Sequence, residues 1–181
     1  MQNYDPARLR DISVPLTEIV ARGLVLSLAL MIVPLIPHIL LHGFDFSYHP
    51  DLYLLFVVAI VVLIVAHEAT HALGWMLFAG VPLRSIRFGF AVRTLSPYAH
   101  TQEPMPASGY RIGAALPLFV TGLLPVLIGT FANIGWLTGA GAMLVSGAVG
   151  DLFVLWVIRR VPADARVIDH PKNAGCYVLE E

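Results

Sequence analysis

Two histidines and a glutamate interrupt one of the most apolar stretches of this 181-residue chain, LIVAHEATHALGW from Leu63 to Trp75. His67-Glu68-Ala69-Thr70-His71 has the spacing H-E-x-x-H. On a helix, positions i and i+4 share one face, one turn apart, so the two imidazoles can meet a single zinc ion. Glu68 stands beside them, where a carboxylate can hold a proton of a zinc-bound water. Zinc lowers the pKa of such a water to about 7, which makes hydroxide available at neutral pH. The glutamate takes up that proton and later passes one to a leaving amine. Ionisable groups are expensive inside a membrane-spanning stretch and mark functional sites there. The competing reading is that these side chains join helices by hydrogen bonds.

A zinc site of this kind needs a third protein ligand and an open fourth position. Asp151 is the only acid in the apolar run Trp136–Ile158. His67 and His71 follow Leu52 by 15 and 19 residues, and Asp151 follows Trp136 by 15. With both segments running the same way through a membrane, all three fall roughly 22–29 Å from its outer face. Small residues at four-residue spacing, Thr138, Ala142, Ser146 and Gly150 in one segment and Ala66, Thr70 and Gly74 in the other, let two membrane helices approach closely. A carboxylate with a short stem requires that approach. The alternatives for the third ligand are His100 and Glu103, in SPYAHTQEPMP. Asp151 can also be read as a lone acid at a helix kink. His38 reads as a helix-packing histidine, His42 and His49 lie towards the opposite face, and His170 is in the tail.

The elements that must carry these residues are membrane helices. Hydrophobic residues make up 57% of the chain and charged residues 13%, and mean hydropathy is +0.77. A soluble domain carries about 25% charged residues, so there is too little charge for a water-facing surface. The net charge of −1 gives no basic surface for nucleic acid. A single cysteine, Cys176, excludes an intrachain disulfide. Four apolar segments, about 19–41, 52–78, 112–132 and 136–158, each approach the roughly 20 residues that cross a bilayer. Prolines 34, 37, 117 and 125 predict kinks in the first and third. The first segment reads as a retained helix rather than a cleaved signal.

Basic residues set the orientation. Arg8, Arg10 and Arg22, then Arg84, Arg87, Arg93 and Arg111, then Arg159, Arg160, Arg166 and Lys172 all fall on one side of a four-helix arrangement. The expectation is a multi-pass protein of the cell membrane, one domain over 1–181, with both termini cytoplasmic and 159–181 a cytoplasmic tail. Between the second and third helices, Ile86, Phe88, Phe90 and Val92 alternate with Arg87, Gly89, Ala91 and Arg93. That period of two predicts a strand or short β-hairpin; an interfacial loop with aromatic anchors is the alternative. The fold class is therefore an all-α membrane protein, four transmembrane helices with a short β-hairpin or strand between helices two and three. Phe88, Phe90 and His100 are the candidates for substrate contact.

The chain resembles the intramembrane zinc metalloproteases of the site-2 protease type, and more closely the small bacterial group called putative zincin peptidases. HEATH in the second helix, PYAHTQEPM in the middle segment, Pro117 in AALPLF, SGAVGD in the last helix and VIDHPKNAG in the tail carry the likeness. The resemblance implies that His67, His71 and Asp151 bind zinc, that Glu68 is the catalytic acid/base, and that peptide bonds of a peptide or membrane-protein substrate are hydrolysed within or near the membrane. Site-2 proteases place their aspartate in an Asn-Pro-x-Asp-Gly context. Here Gly150 precedes Asp151 and Leu152 follows it, so no oxyanion-stabilising group can be assigned. The rival function is a non-proteolytic zinc-binding membrane protein: a scaffold, a pseudoprotease or a transporter.

Overall fold

A computed structural model describes residues 8–43, 50–91 and 96–180. The order of elements is β1 (Leu9–Asp11), α1 (Leu16–Ile32), α2 (Ile36–His42), α3 (Pro50–Ala79), β2 (Ile86–Ala91), β3 (Ser96–Thr101), β4 (Met105–Pro106), α4 (Ala107–Pro117), α5 (Leu124–Phe131), α6 (Gly135–Gly147), α7 (Val149–Ile158), β5 (Arg166–Asp169) and β6 (Cys176–Leu179). Joined end to end, these helices make four spans long and apolar enough to cross a membrane: Ala21–His42, Asp51–Ala79, Ala107–Phe131 and Gly135–Ile158. Their outer faces leave large apolar side chains such as Val25, Val61, Val65, Phe119 and Phe131 exposed. In water that surface would be untenable, and in hydrocarbon it is the expected finish. The architecture is that of a multi-pass membrane protein.

The helices break where proline or a break in the backbone ladder requires it. A 3₁₀ turn, Val33–Leu35, surrounds Pro34 between α1 and α2. Pro117 ends α4, and a π-helical turn, Leu118–Leu123, leads into α5. The last span is interrupted at Ala148, between α6 and α7, with no proline there. The third span begins at Ala107, five residues before the expected 112, because Ala107 follows directly on β4 and its amide bonds the Ala165 carbonyl at 2.9 Å. α3 stops at Gly80, whose φ of +69° suits glycine and few other residues.

The chain contacts divide into two compact units. One comprises Met1–Ala21, Glu68–Leu116 and Gly150–Glu181. Within it β2 and β3 pair as an antiparallel hairpin, Arg87 opposite His100 and Phe88 opposite Ala99. The hairpin expectation holds over 86–91; Val92 and Arg93 lie outside the described residues. The tail is not plain chain. β5 and β6 form an antiparallel sheet with β1 and β4, in the order β1-β6-β5-β4, a sheet that an all-α reading does not contain. Val167 and Val178 are buried in the core, but Ile168 beside Val167 is buried as well, so β5 shows no alternation, and each strand is too short to register as a pattern. The core of this unit gathers Ala72, Trp75, Met105, Tyr110, Ile158, Val167 and Cys176.

The other unit comprises Arg22–His67 and Pro117–Val149, cored by Val126, Ala142 and Val145. Three members of the small-residue stripes meet helices other than the facing stripe. Thr138 packs on Gly129 of α5, and the Ser146 hydroxyl lies 2.7 Å from that of Ser27 in α1. In the first unit, Gly74 of α3 meets Gly113 of α4. Small residues permit close approach without choosing the partner, and for Thr138, Ser146 and Gly74 the partners lie on the first and third spans.

Candidate metal centre

α3 sets the two histidines. Its run of Val, Ile, Leu and Ala from Phe56 to Ala66 fixes a long apolar helix, and His67 and His71 share a face one turn apart on it. Asp151 comes from the first turn of α7, immediately after the break at Ala148. The positive end of a helix dipole suits an anionic ligand there. The ligating atoms of His67, His71 and Asp151 all lie within 4.8 Å of one another. His71 Nε2 is 3.4 Å from Asp151 Oδ1. Two ligand atoms each about 2.0–2.1 Å from a tetrahedral zinc are separated by roughly 3.3–3.4 Å, so this edge of the site already has the dimension zinc needs.

The outer hydrogen bonds settle which ring nitrogen faces the centre. His71 Nδ1 is 2.9 Å from the Gly113 carbonyl. A carbonyl only accepts, so Nδ1 carries the proton and, in the neutral ring, Nε2 carries the lone pair. His67 Nδ1 is 3.3 Å from Thr121 Oγ1, whose own proton goes to the Pro117 carbonyl at 2.8 Å. The hydroxyl can then only accept from His67, and Nε2 is again the lone-pair nitrogen. Metal-bound histidines characteristically hold their second nitrogen in this way. The donor set of two imidazoles and a carboxylate therefore fits zinc, which in a catalytic site takes three protein ligands and a fourth, open position. Beyond His71 the wall is aromatic: Trp75 stacks on it with ring centroids 5.9 Å apart, and Tyr110 stacks on Trp75 at 6.1 Å.

The other candidates are placed elsewhere. His100 directs Nδ1 to Asp169 Oδ2 at 2.5 Å. The Tyr110 hydroxyl reaches Asp169 Oδ1 and the Gly175 carbonyl, each at 2.8 Å. Glu103 is exposed, on the turn after β3. Neither His100 nor Glu103 joins the ligand group found among the described residues. Phe88 and Phe90 are 54% and 56% exposed on the hairpin, available for contact. Glu68 is half-buried, next to His67 on α3. His38 packs as expected, its Nδ1 3.2 Å from Thr138 Oγ1. Gly113 and Thr121 are contacts that motif reading passed over. Pro117 was the available signal, since a proline within a helix frees the carbonyl four residues before it.

Residues 60–166 match the family model described as "Putative zincin peptidase". The chain belongs to that family. The match spans more than half of this zincin-family protein and takes in α3 from Ile60, the hairpin, the third span and α7. It thus contains His67, Glu68, His71, Gly113, Thr121 and Asp151, and ends at the start of β5. That description points to a zinc metallopeptidase, and zinc is the metal it implies for the three-residue group. No match was found among curated proteins or among solved structures.

Proposed function

We propose that this protein is a zinc-dependent intramembrane metalloendopeptidase, of the H-E-x-x-H kind and similar to site-2 proteases. The observation that carries the reading is the convergence of His67, His71 and Asp151 within 4.8 Å, on helices apolar enough to cross a membrane. When bound, zinc supplies Lewis-acid chemistry and a water acidified to a pKa of about 7. His67 and His71 would hold the ion through Nε2, and Asp151 would contribute the anionic ligand. Glu68 takes the proton from the attacking water and delivers it to the leaving amine as the peptide bond breaks.

A transmembrane substrate helix must unwind to expose a peptide bond. The β2–β3 hairpin offers a strand edge on which the extended segment can pair, with the exposed Phe88 and Phe90 as the contacting side chains; His100, held by Asp169, is mostly buried. The placement of arginine and lysine supports an orientation with both termini and the 80–111 segment on the cytoplasmic side of the cell membrane. The substrate is then a membrane protein or peptide presented there.

The test is cleavage of membrane-spanning peptides by the zinc-loaded protein in detergent, comparing wild type with Glu68→Gln. Cleavage by wild type and its loss in Glu68→Gln, with zinc retained, is the expected result. Equal cleavage by both would overturn the mechanism. One zinc per chain with no cleavage of any membrane peptide would favour a zinc-binding protein without proteolytic activity.

A further inference from the structure

The break in the third span coincides with the hydrogen bonds to both histidines. Pro117 has no N–H, so the Gly113 carbonyl has no partner at the usual i+4 position of α4. That same carbonyl is the acceptor of His71 Nδ1–H, at 2.9 Å. It reaches the imidazole because α3 and α4 cross backbone to backbone there: a Cβ on Gly74 would sit 2.6 Å from Gly113 Cα, and one on Gly113 would sit 2.3 Å from the Trp75 ring. Directly after Pro117 the chain takes a π-helical turn, in which the Leu124 amide bonds the Phe119 carbonyl. π-turns re-aim side chains and recur at functional sites. This one holds Thr121, 1% exposed, with its hydroxyl proton committed to the Pro117 carbonyl and its lone pair towards His67 Nδ1.

We infer that Pro117 and Thr121 are positioning residues of the metal centre. Pro117 releases the Gly113 carbonyl to orient His71, and the π-turn behind it presents the Thr121 hydroxyl to orient His67. One helix interruption thereby fixes the tautomer of both imidazoles, each with Nε2 as the donor to metal. A regular α-helix through residue 117 would spend the Gly113 carbonyl on its own ladder and rotate Thr121 away by the extra residue of the π-turn. The inference rests on the proposed metal site but not on proteolysis.

The experiment measures zinc affinity of the full chain in detergent by competition with a chelating dye, for wild type, Thr121→Val, Thr121→Ser and Pro117→Ala. Loss of an outer-shell partner typically weakens metal binding about 10–100-fold. That loss is expected in Thr121→Val, which keeps the shape and removes the hydroxyl. Thr121→Ser should bind as wild type does, because it restores the acceptor without the methyl. Pro117→Ala should weaken zinc in the same direction. With cobalt in place of zinc, the visible ligand-field band should shift in Thr121→Val and return in Thr121→Ser. Wild-type affinity in Thr121→Val overturns the role of Thr121, as does an equal loss in Thr121→Ser and Thr121→Val, which would make packing the cause. Wild-type affinity in Pro117→Ala overturns the role of Pro117. A wild-type protein that binds no zinc would instead remove the metal-site reading on which both rest.

Discussion

Gly74→Ala should loosen zinc and destabilise the protein together, because the crossing of α3 and α4 leaves no space for one methyl group. The added Cβ would lie 2.6 Å from Gly113 Cα and 3.3 Å from Gly113 N. Both are backbone atoms and cannot rotate aside. Carbon atoms rest about 3.5–4.0 Å apart, so the two helices must part by roughly 1 Å at this point. The bond from His71 Nδ1 to the Gly113 carbonyl, now 2.9 Å, would open to roughly 3.8–3.9 Å, well past the about 3.2 Å limit of a useful N–H···O bond. Overpacking costs about 1–3 kcal/mol, and a buried donor left without its acceptor costs about 1–3 kcal/mol more. With His71 no longer held, zinc affinity should fall by about 10–100-fold, as for loss of other outer-shell partners. Thermal unfolding in detergent and dye competition for zinc read the two effects. Gly147→Ala is the control, since a Cβ there meets nothing within 4 Å. A Gly74→Ala protein with the Tm and zinc affinity of wild type would refute the close crossing and the role of the Gly113 carbonyl.

Three further expectations concern the unit that carries the sheet. Arg111 donates from Nη2 to the carbonyls of Ile158, at 2.6 Å, and of Val161, closing the end of α7; Arg111→Met should cost about 1.5–3 kcal/mol, the worth of hydrogen bonds from a charged group, and an unchanged Tm would contradict the cap. Burial, aided by Asp169 and Asp11, pushes the Cys176 thiol up to about 12. Iodoacetamide at pH 8 should therefore label this fully buried cysteine only after denaturation, and rapid labelling of the native protein would contradict its placement. His170 Nδ1 accepts from the amides of Lys172 at 3.1 Å and Asn173 at 2.8 Å, which requires the unprotonated nitrogen, and burial holds its pKa below the ordinary value against the pull of Asp11 and Asp169. A depressed histidine pKa contributes stability that is whole above about pH 6.5 and is lost as pH falls through the folded value. Tm should decline with acidification below pH 6.5, and more gently in His170→Ala; parallel profiles would contradict the assignment.

What the sequence reveals here follows from the range of each interaction. The H-E-x-x-H spacing is local, fixed by 3.6 residues per turn, and so is the apolar length of each span. Asp151 is reached through depth, because two spans running in the same direction place equal residue counts at equal heights; its Oδ1 lies 3.4 Å from His71 Nε2. The β2–β3 hairpin was legible from its alternation, but the four-stranded sheet was not. β4 has two residues and β5 and β6 have four each, too short for a period of two to stand out, and their pairing depends on contacts as distant as Leu9 with Leu179. The partner of a small-residue stripe is likewise non-local. Gly74 could have met any of three helices, and it meets the one whose glycine, Gly113, also lacks a Cβ. Pro117 was visible as a kink, whereas its consequence for His71 required knowing which helix lay opposite the freed carbonyl.

The central claim is that His67, His71 and Asp151 form one zinc site, and X-ray absorption at the zinc edge on the purified full-length protein tests it most directly. The account predicts one zinc per chain, with two imidazole nitrogens at about 2.0–2.1 Å and oxygen from a carboxylate and a water completing four-coordination, and loss of that signal in Asp151→Ala. Sulfur at about 2.3 Å, an all-oxygen shell, or a spectrum unchanged in Asp151→Ala would contradict it.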